Sequence, residues 1–451
     1  MAHRSRTIHV VNLGCAKNRV DAEVMLGVAE RAGFRHVSQA PDAEVILVNT
    51  CSFIDTARQE SVETILELAQ HKTRGTCRKL IVAGCLSQRY AQELPAELPE
   101  VDHFLGCSDM LKLAQVLLDA APRVLVGNPA DFLMRAGDPR TLSTHPGSAF
   151  VKLSEGCSRQ CSFCVIPRLR GRLRSRPISD LLEEVHDLLA RGVVEFNLIS
   201  QDSVAYGRDL PERPTLADAV RSIADVSGVR WVRVHYLYPE RLSEPLLDLW
   251  VNHPRVLPYV DLPLQHADTG ILRRMRRGYD GRRARGLIER LRRDVPDVTL
   301  RSAFIVGHPG EGRAEFERLY EFVRWAQFDH LGVFCYSPED GTASDQQRGR
   351  VSARVAESRA QRLHDLQRTI SRSHNAARVG QQLDVLVEGP SDEHEWVMTG
   401  RHRGQAPEVD GVVYLSGAEM LSDFTLRPGQ LRRARITQAA DYDLVGEVVD
   451  G

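Results

Sequence analysis

Three cysteines near the middle of the chain have a spacing that is typical of a metal cluster. Cys157, Cys161 and Cys164 form a C-x3-C-x2-C triplet that begins four residues after the apolar stretch 149–153. A 4Fe-4S cluster normally takes four cysteine ligands, so three ligands on one loop leave one iron open. Zinc is an alternative, although structural zinc prefers four closed ligands. A disulfide is less favoured, because the 9 cysteines are an odd number and no secretory leader pattern precedes them.

A second set of three cysteines lies in the amino-terminal part of the chain. Apolar runs at residues 8–13, 45–48 and 80–83 are predicted strands, and each is followed by a cysteine: Cys15, Cys51 and Cys85. In an open α/β sheet, groups beyond the carboxyl ends of the strands can meet in one crevice, which would create a second site with three thiolates. The alternative is three separate structural cysteines, since free cysteine is among the most buried residue types.

The surroundings of both sets resemble one family. The triplet after a predicted first barrel strand resembles the radical S-adenosylmethionine (SAM) enzymes. Its flanks, EGC at 155–157, CVIP at 164–167, RG at 170–171 and SRP at 175–177, resemble the methylthiotransferases, which add a methylthio group to an unactivated carbon. LGCAKN at 13–18, NTC at 49–51 and GCL at 84–86 resemble the domain of that family that holds an auxiliary 4Fe-4S cluster. Cys77, Cys107 and Cys335 match no ligand position of the family and are predicted to be structural thiols.

The resemblance implies a division of labour between two 4Fe-4S clusters. The cluster on Cys157, Cys161 and Cys164 would bind S-adenosylmethionine and generate a 5'-deoxyadenosyl radical that removes hydrogen from the substrate. The auxiliary cluster on Cys15, Cys51 and Cys85 would carry a sulfur that a second S-adenosylmethionine methylates. Side-chain acid-base chemistry cannot break an unactivated C–H bond, so a cofactor has to supply the radical.

The predicted elements place these cysteines in two α/β domains. Residues 7–135 alternate apolar runs with helical stretches, which predicts a small open parallel sheet with covering helices. Turn-forming residues at 137–147 predict a linker. Six strand-like segments with helical intervals follow, and they favour a partial (β/α)6 barrel with its chemistry at the strand carboxyl ends. These segments are residues 149–153, 193–199, 231–236, 259–264, 300–306 and 330–336.

The last part of the chain is predicted to be a small all-β barrel. A polar helical stretch at 351–378 leads to five short strands at 383–388, 396–401, 412–415, 431–436 and 444–449. This module resembles the TRAM domain of the methylthiotransferases. The predicted bounds are 1–136 for the auxiliary-cluster domain, 137–147 for the linker, 148–378 for the radical SAM core with its connecting helix, and 379–451 for the TRAM domain.

Polar or flexible residues follow several of the predicted barrel strands. By resemblance, the residues that surround S-adenosylmethionine are Ser200, Gln201, Gln265, His266 and Gly307. A satisfied core histidine is the alternative for His266, and an ordinary turn glycine is the alternative for Gly307.

Charge is distributed unevenly along the chain. Between residues 273 and 301 there are 11 arginines, which could contact phosphate, although a solvated helix face with acidic neighbours is favoured. Residues 379–451 carry 13 acidic groups against six arginines, a balance of -7 in a chain whose formal net charge is -1. A nucleic-acid surface should be basic, so this acidic module favours a basic protein as partner.

The motifs favour one branch of the family. LGCAKNRVD at 13–21 and NTCSFI at 49–54 resemble the RimO-type branch, which modifies an aspartate of the small-subunit ribosomal protein numbered twelve. Ala16 and Ala22 depart from that branch, where proline and serine are usual. The implied partners are this basic ribosomal protein, an electron donor such as flavodoxin or ferredoxin, and the ribosome. The alternatives are a tRNA methylthiotransferase acting on a modified adenosine, and a non-enzymatic binding protein whose cysteines only brace the fold.

Composition is that of an ordinary globular protein with 26% charged and 42% hydrophobic residues. No run of eighteen apolar residues, the length of a membrane span, occurs in the sequence. We therefore expect a cytoplasmic location and no membrane partner.

Overall fold

The computed structural model describes residues 6–391, 397–416 and 426–449. Its amino-terminal part is an open parallel sheet between two layers of helices. The strands are β1 (Arg6–Asn12), β2 (Phe34–His36), β3 (Val45–Thr50), β4 (Lys79–Gly84), β5 (His103–Leu105) and β6 (Val124–Leu125). The helices are α1 (Ala16–Arg31), α2 (Asp55–Ala69), α3 (His71–Arg74), α4 (Cys85–Arg89), α5 (Leu94–Glu97) and α6 (Leu113–Leu117).

Strand β3 shows why this sheet is buried on both faces. The side chain of Leu47 belongs to the core on one face, whereas Ile46 and Val48 belong to the core on the other, because successive side chains of a strand point in opposite directions. The strand order is β2-β1-β3-β4-β5-β6. The predicted open α/β domain is therefore confirmed. The strands β2, β5 and β6 were not predicted from the sequence, because they are only two or three residues long.

The central part is a six-stranded parallel sheet among the described residues, in the order β14-β13-β12-β11-β10-β7. Its strands are β7 (Ser148–Lys152), β10 (Glu195–Ile199), β11 (Trp231–Val234), β12 (Val256–Gln265), β13 (Thr299–Val306) and β14 (His330–Cys335), and the short strands β8 (Ser154–Glu155) and β9 (Arg174–Ser175) pair with each other. The helices are α7 (Ile166–Arg170), α8 (Ile178–Ala190), α9 (Leu216–Ala224), α10 (Glu244–Asn252), α11 (Thr269–Arg274), α12 (Gly281–Asp294) and α13 (Arg313–Ala326). The predicted partial barrel is confirmed.

A long helix leads to the carboxyl-terminal barrel. Helix α14 (Ala353–Ala376) packs on β14 and is followed by β15 (Gln382–Pro390), β16 (Met398–His402), β17 (Val413–Ser416), β18 (Leu431–Ala439) and β19 (Leu444–Val448). These strands close in the order β15-β16-β17-β19-β18, which confirms the predicted small barrel. Residue 396 of the second predicted strand lies outside the described residues.

Buried ion pairs hold the small barrel against the amino-terminal ends of the central strands. Glu195, the first residue of β10, accepts hydrogen bonds from Arg233 of β11 and from Arg401 of β16, the latter at 2.5 Å. Arg401 also pairs with Glu388 at 2.6 Å. The carboxyl ends of the central strands, at the opposite end of the sheet, are therefore left for the chemistry.

The arginine run at 273–301 lies mainly on the outer helix α12. Arg285 pairs with Glu289 at 3.2 Å, and both Arg290 and Arg293 pair with Asp294, at 3.4 and 2.7 Å. These exposed pairs favour the solvated-face interpretation. Arg277 is an exception because it is buried. Among the described helices, none is long and apolar enough to cross a membrane.

Candidate active site

The three amino-terminal cysteines follow neighbouring strands. β1, β3 and β4 lie side by side in the sheet; Cys51 and Cys85 come directly after β3 and β4, and Cys15 comes three residues after the end of β1. Gly14 has a left-handed φ of 98°, and a Cβ at this position would lie 2.9 Å from the Cβ of Cys51. Only glycine therefore lets the Cys15 turn approach the Cys51 turn so closely. Burial raises the pKa of Cys51 to about 12, and the nearby Cys85 and Cys15 act in the same direction.

A fourth cysteine, Cys107, joins this group in the structure. Its Sγ lies 3.7 Å from the Sγ of Cys85, and the resulting hydrogen bond lowers the pKa of Cys85, with Arg170 acting in the same direction. The prediction that Cys107 is a structural thiol outside the site does not account for this contact with Cys85. The sequence LGC at 105–107 nevertheless repeats the LGC at 13–15, and the three-residue strand β5 that precedes it was too short to be predicted.

The cysteine triplet lies on the loop between β8 and α7. The Sγ of Cys157 accepts a hydrogen bond from the backbone N–H of Arg159 at 3.4 Å, and the Sγ of Cys161 accepts one from Arg277 at 3.3 Å. Arg277 belongs in sequence to the arginine run at 273–301. Burial raises the pKa of Cys157 to about 11 and that of Cys164 to about 12.

Gly156 sets the entry of this loop, and its replacement by alanine is expected to destabilise the protein. Its φ is 72°, and an added Cβ would lie 2.2 Å from the carbonyl oxygen of Arg172. The left-handed backbone costs about 1–2 kcal/mol, and the steric overlap adds about 1–3 kcal/mol. Gly192→Ala is the matched control, because Gly192 has a φ of 89° and no neighbour within 4 Å. Urea unfolding should show the larger loss for Gly156→Ala, and equal losses would contradict this explanation.

Both cysteine sets have a donor chemistry that is compatible with iron-sulfur clusters. Among the described residues, no three cysteine, histidine or carboxylate side chains are arranged around a single metal ion. A 4Fe-4S cluster does not need such an arrangement, because each cysteine binds a different iron. Buried thiols with raised pKa values become thiolates when a bound metal supplies compensating charge. All nine cysteines lie within the described residues and are free.

Unpaired polar atoms gather at the carboxyl ends of the central strands. The buried atoms without a hydrogen-bond partner among the described residues include Ser154 Oγ after β7, both amide atoms of Gln201 after β10, His266 Nε2 after β12 and Tyr336 Oη after β14. An unsatisfied buried polar group costs about 1–3 kcal/mol. Four strands that end in such groups therefore fit a polar ligand such as S-adenosylmethionine.

The other predicted cofactor residues have mixed surroundings. Ser200 Oγ lies 2.9 Å from Ser203 Oγ. Gln265 has a left-handed φ of 71°. His266 accepts a hydrogen bond from the N–H of Asp268 at 2.9 Å, and its Nε2 lies 3.5 Å from a carboxylate oxygen of Glu311.

Packing explains Gly307 without a ligand. A Cβ at Gly307 would lie 2.6 Å from the Cβ of Ala356 on α14, so glycine allows this helix to pack closely. Its N–H donates to Glu311 at 2.9 Å. A contact between Gly307 and the cofactor stays a prediction.

The two cysteine sites adjoin across the boundary between the domains. Cys85 and Cys107 pack in one apolar cluster with Val165, which follows Cys164, and with Leu169 of α7. Lys17, two residues after Cys15, places its Nζ 3.3 Å from the ring centroid of Tyr236, which follows strand β11. The same boundary therefore carries groups from both sites.

Family models match each part of the chain. Residues 7–106 match "Uncharacterized protein family UPF0004", residues 151–323 match the "Radical SAM superfamily", and residues 379–449 match the "TRAM domain". A solved structure, the radical S-adenosylmethionine methyltransferase TsrM from Kitasatospora setae with cobalamin and a [4Fe-4S] cluster bound, is similar with a TM-score of 0.53 and 15% sequence identity, over 74% of both chains. At that identity the likeness extends to the fold alone.

Full-length relatives are much closer in sequence. The "Ribosomal protein uS12 methylthiotransferase RimO" of Sorangium cellulosum is 61% identical over 99% of this chain and 91% of its own length. The protein with the same name from Syntrophus aciditrophicus is 48% identical over 99% of both chains. The chain therefore belongs to the RimO family of radical SAM methylthiotransferases.

Proposed function

We propose that this protein adds a methylthio group to the β-carbon of an aspartate in ribosomal protein uS12. The observation that carries the proposal is the adjacency of two three-cysteine sites, in which Cys85 of one packs against Val165 beside Cys164 of the other. An enzyme that joins a carbon radical to a sulfur needs the group that generates the radical and the group that carries the sulfur close together. The names of the relatives at 61% and 48% identity supply the substrate class.

The proposed site combines cysteines that would hold the clusters with other residues that would bind S-adenosylmethionine. S-adenosylmethionine and two 4Fe-4S clusters, when bound, supply the radical that removes hydrogen and the sulfur that replaces it. Cys157, Cys161 and Cys164 would hold one cluster, and Cys15, Cys51 and Cys85 would hold the auxiliary cluster. Of the residues proposed to bind S-adenosylmethionine, namely Ser200, Gln201, Gln265, His266 and Gly307, Gln201 is supported best because both its amide atoms are buried and unpaired.

Gln201→Ala is therefore expected to weaken cofactor binding without harming the fold. Loss of one or two hydrogen bonds of about 1 kcal/mol each should reduce the affinity for S-adenosylmethionine about 5- to 30-fold. Unfolding free energy should not fall, because the unpaired amide is removed. Equilibrium dialysis of the iron-loaded protein without reductant measures the affinity.

Gln367→Ala is the control for this experiment. Its amide donates to the carbonyl oxygen of Phe328 at 2.8 Å and to Ser371 at 2.9 Å, so its loss should lower stability and leave affinity unchanged. Unchanged affinity in Gln201→Ala would remove Gln201 from the proposed site.

The acidic carboxyl-terminal module supports a basic protein substrate over tRNA. We infer that its balance of -7 over residues 379–451 disfavours a phosphate backbone. An electron donor such as flavodoxin or ferredoxin, and contact with the ribosome, complete the proposed set of partners. The domains proposed to carry these parts are residues 1–136, 148–378 and 379–451.

Substrate turnover tests the proposal directly. The reconstituted protein is incubated with reductant, S-adenosylmethionine and either purified uS12 or bulk tRNA, and both products are analysed by mass spectrometry. We expect the methylthio mass increase on an aspartate-containing peptide of uS12. An increase on tRNA alone would favour the competing tRNA methylthiotransferase, and no 5'-deoxyadenosine in either reaction would contradict radical chemistry altogether.

A further inference from the structure

We propose that Arg170 is a positioning residue that connects the two cysteine sites and controls the charge beside the auxiliary site. This inference rests on the proposed function, in which Cys85 is a ligand of the auxiliary cluster. Arg170 ends helix α7, the helix that follows the cysteine triplet, and only 4% of the residue is exposed. Its backbone therefore belongs to the segment that follows the cysteine triplet, and its side chain reaches Cys85 of the auxiliary site.

The contacts of Arg170 run in both directions. Its Nη2 donates to Asp21 at 2.6 Å and to the side-chain oxygen of Asn18 at 2.8 Å, both on α1 of the auxiliary-site domain, and lies 3.9 Å from the Sγ of Cys85. Its Nη1 donates to Glu155 at 3.3 Å, two residues before Cys157. One guanidinium therefore contacts a residue of the auxiliary site and a residue beside the triplet.

Lys152 completes a closed ring of four charges with Arg170. Lys152 pairs with Glu155 at 2.5 Å and also with Asp21, while Arg170 pairs with the same two carboxylates. All four side chains are at most 4% exposed. We call these residues, Asp21, Lys152, Glu155 and Arg170, the charge ring.

The burial of the charge ring argues for a role beyond stability. Removing four charges from water is expensive, and well-packed apolar side chains in their place would often stabilise a fold as well or better. The ring fixes geometry instead, because a planar guanidinium holds its carboxylate and amide partners in one orientation. Arg170 also holds the side-chain oxygen of Asn18. The amide nitrogen of Asn18 donates to the carbonyl oxygens of Leu13 and Thr50, which lie next to the Cys15 and Cys51 turns.

The charge of the ring also acts on the auxiliary site. Two cations and two carboxylates balance, so loss of Arg170 leaves a net charge of -1 close to Cys85. The reduction potential of an iron-sulfur cluster depends on nearby charge and on hydrogen bonds to its sulfur atoms. Reduction adds an electron, so a more negative environment lowers the potential.

The test uses the full chain with Cys157, Cys161 and Cys164 all replaced by alanine, so that the auxiliary cluster is the iron-sulfur cluster that gives the signal. In this background, Arg170→Met is expected to make the midpoint potential, measured by a redox titration followed by electron paramagnetic resonance, more negative. Arg170→Lys keeps the charge and should return the potential toward the starting value. Asp21→Asn raises the ring charge by one and should shift the potential in the opposite direction.

Arg140→Met is the matched control. The side chain of Arg140 is also 4% exposed, and it also bridges the two domains by pairing with Glu23 at 2.6 Å and with Glu184 at 2.5 Å. Its side-chain hydrogen bonds within the described residues go to Glu23, Glu184 and the carbonyl oxygen of Phe150 and to no cysteine, so its loss tests domain docking alone. We expect the potential in Arg140→Met to remain unchanged.

The outcomes separate the two levels of the proposal. If the triple-alanine background binds no iron-sulfur cluster, the assignment of Cys15, Cys51 and Cys85 fails, and with it the proposed function. If that cluster forms but Arg170→Met and Asp21→Asn leave its potential unchanged, or Arg140→Met shifts it as much as Arg170→Met, the role of Arg170 is refuted. Loss of the cluster in Arg170→Met but not in Arg140→Met supports the role, because contact with the auxiliary site distinguishes the two arginines.

Discussion

Replacement of Cys161 by alanine is expected to abolish the reductive cleavage of S-adenosylmethionine. Cys161 is the middle cysteine of the triplet that is proposed to hold the radical-generating cluster, and its Sγ accepts a hydrogen bond from Arg277 at 3.3 Å. Without this thiolate, two cysteines remain for a cluster that needs three from the protein. The iron content should fall from about eight to about four per chain, since each 4Fe-4S cluster contributes four irons. Chromatography of 5'-deoxyadenosine after addition of dithionite, together with an iron assay, measures both effects.

Cys335→Ala is the control for the triplet variant. Cys335 is an exposed thiol at the end of β14 and belongs to neither cysteine site. This variant should keep its iron and its 5'-deoxyadenosine formation. Undiminished cleavage in Cys161→Ala would show that the triplet does not hold the radical-generating cluster.

Replacement of Cys51 by alanine should separate cofactor cleavage from sulfur transfer. Cys51 is the central member of the amino-terminal set, because β3 lies between β1 and β4. Its loss should again remove about four irons per chain. Formation of 5'-deoxyadenosine should continue, because the triplet is intact, while methylthio transfer to the substrate should fall to background. Mass spectrometry of the substrate and chromatography of the nucleoside, run on the same reaction, give the two readouts.

Cys77→Ala provides a matched control within the same domain. Cys77 is buried, as Cys85 is, but its thiol donates to the carbonyl oxygen of Lys79 and lies outside the site. It should retain both activities. If Cys51→Ala and Cys161→Ala lost 5'-deoxyadenosine formation to the same degree, the proposed division of labour between the two clusters would be wrong.

Local patterns were sufficient to predict the architecture. Apolar runs such as those at 45–48 and 80–83 are buried strands in the structure. Helices cover both faces of a parallel sheet, so its strands are continuously apolar and can be recognised in the sequence. The resemblance then predicted the family, which the relatives confirm, and six ligand cysteines, which stay a prediction. The short strands β2, β5 and β6 escaped prediction, since two or three residues carry too little periodicity to be recognised.

What sequence alone determined was the chemistry available to this protein: two cysteine triplets, the strands that present them and the acidic carboxyl-terminal module. Tertiary structure decided which groups surround those triplets. Cys107 approaches Cys85 because β5 pairs with β4. Arg277, unlike the exposed arginines of α12, is buried and donates a hydrogen bond to Cys161. Arg170 approaches Cys85, which lies 85 residues earlier in the sequence. Such contacts depend on strand order and domain docking, which arise from the burial of whole surfaces, so even a local signal such as the LGC repeat at Cys107 does not show which residues meet.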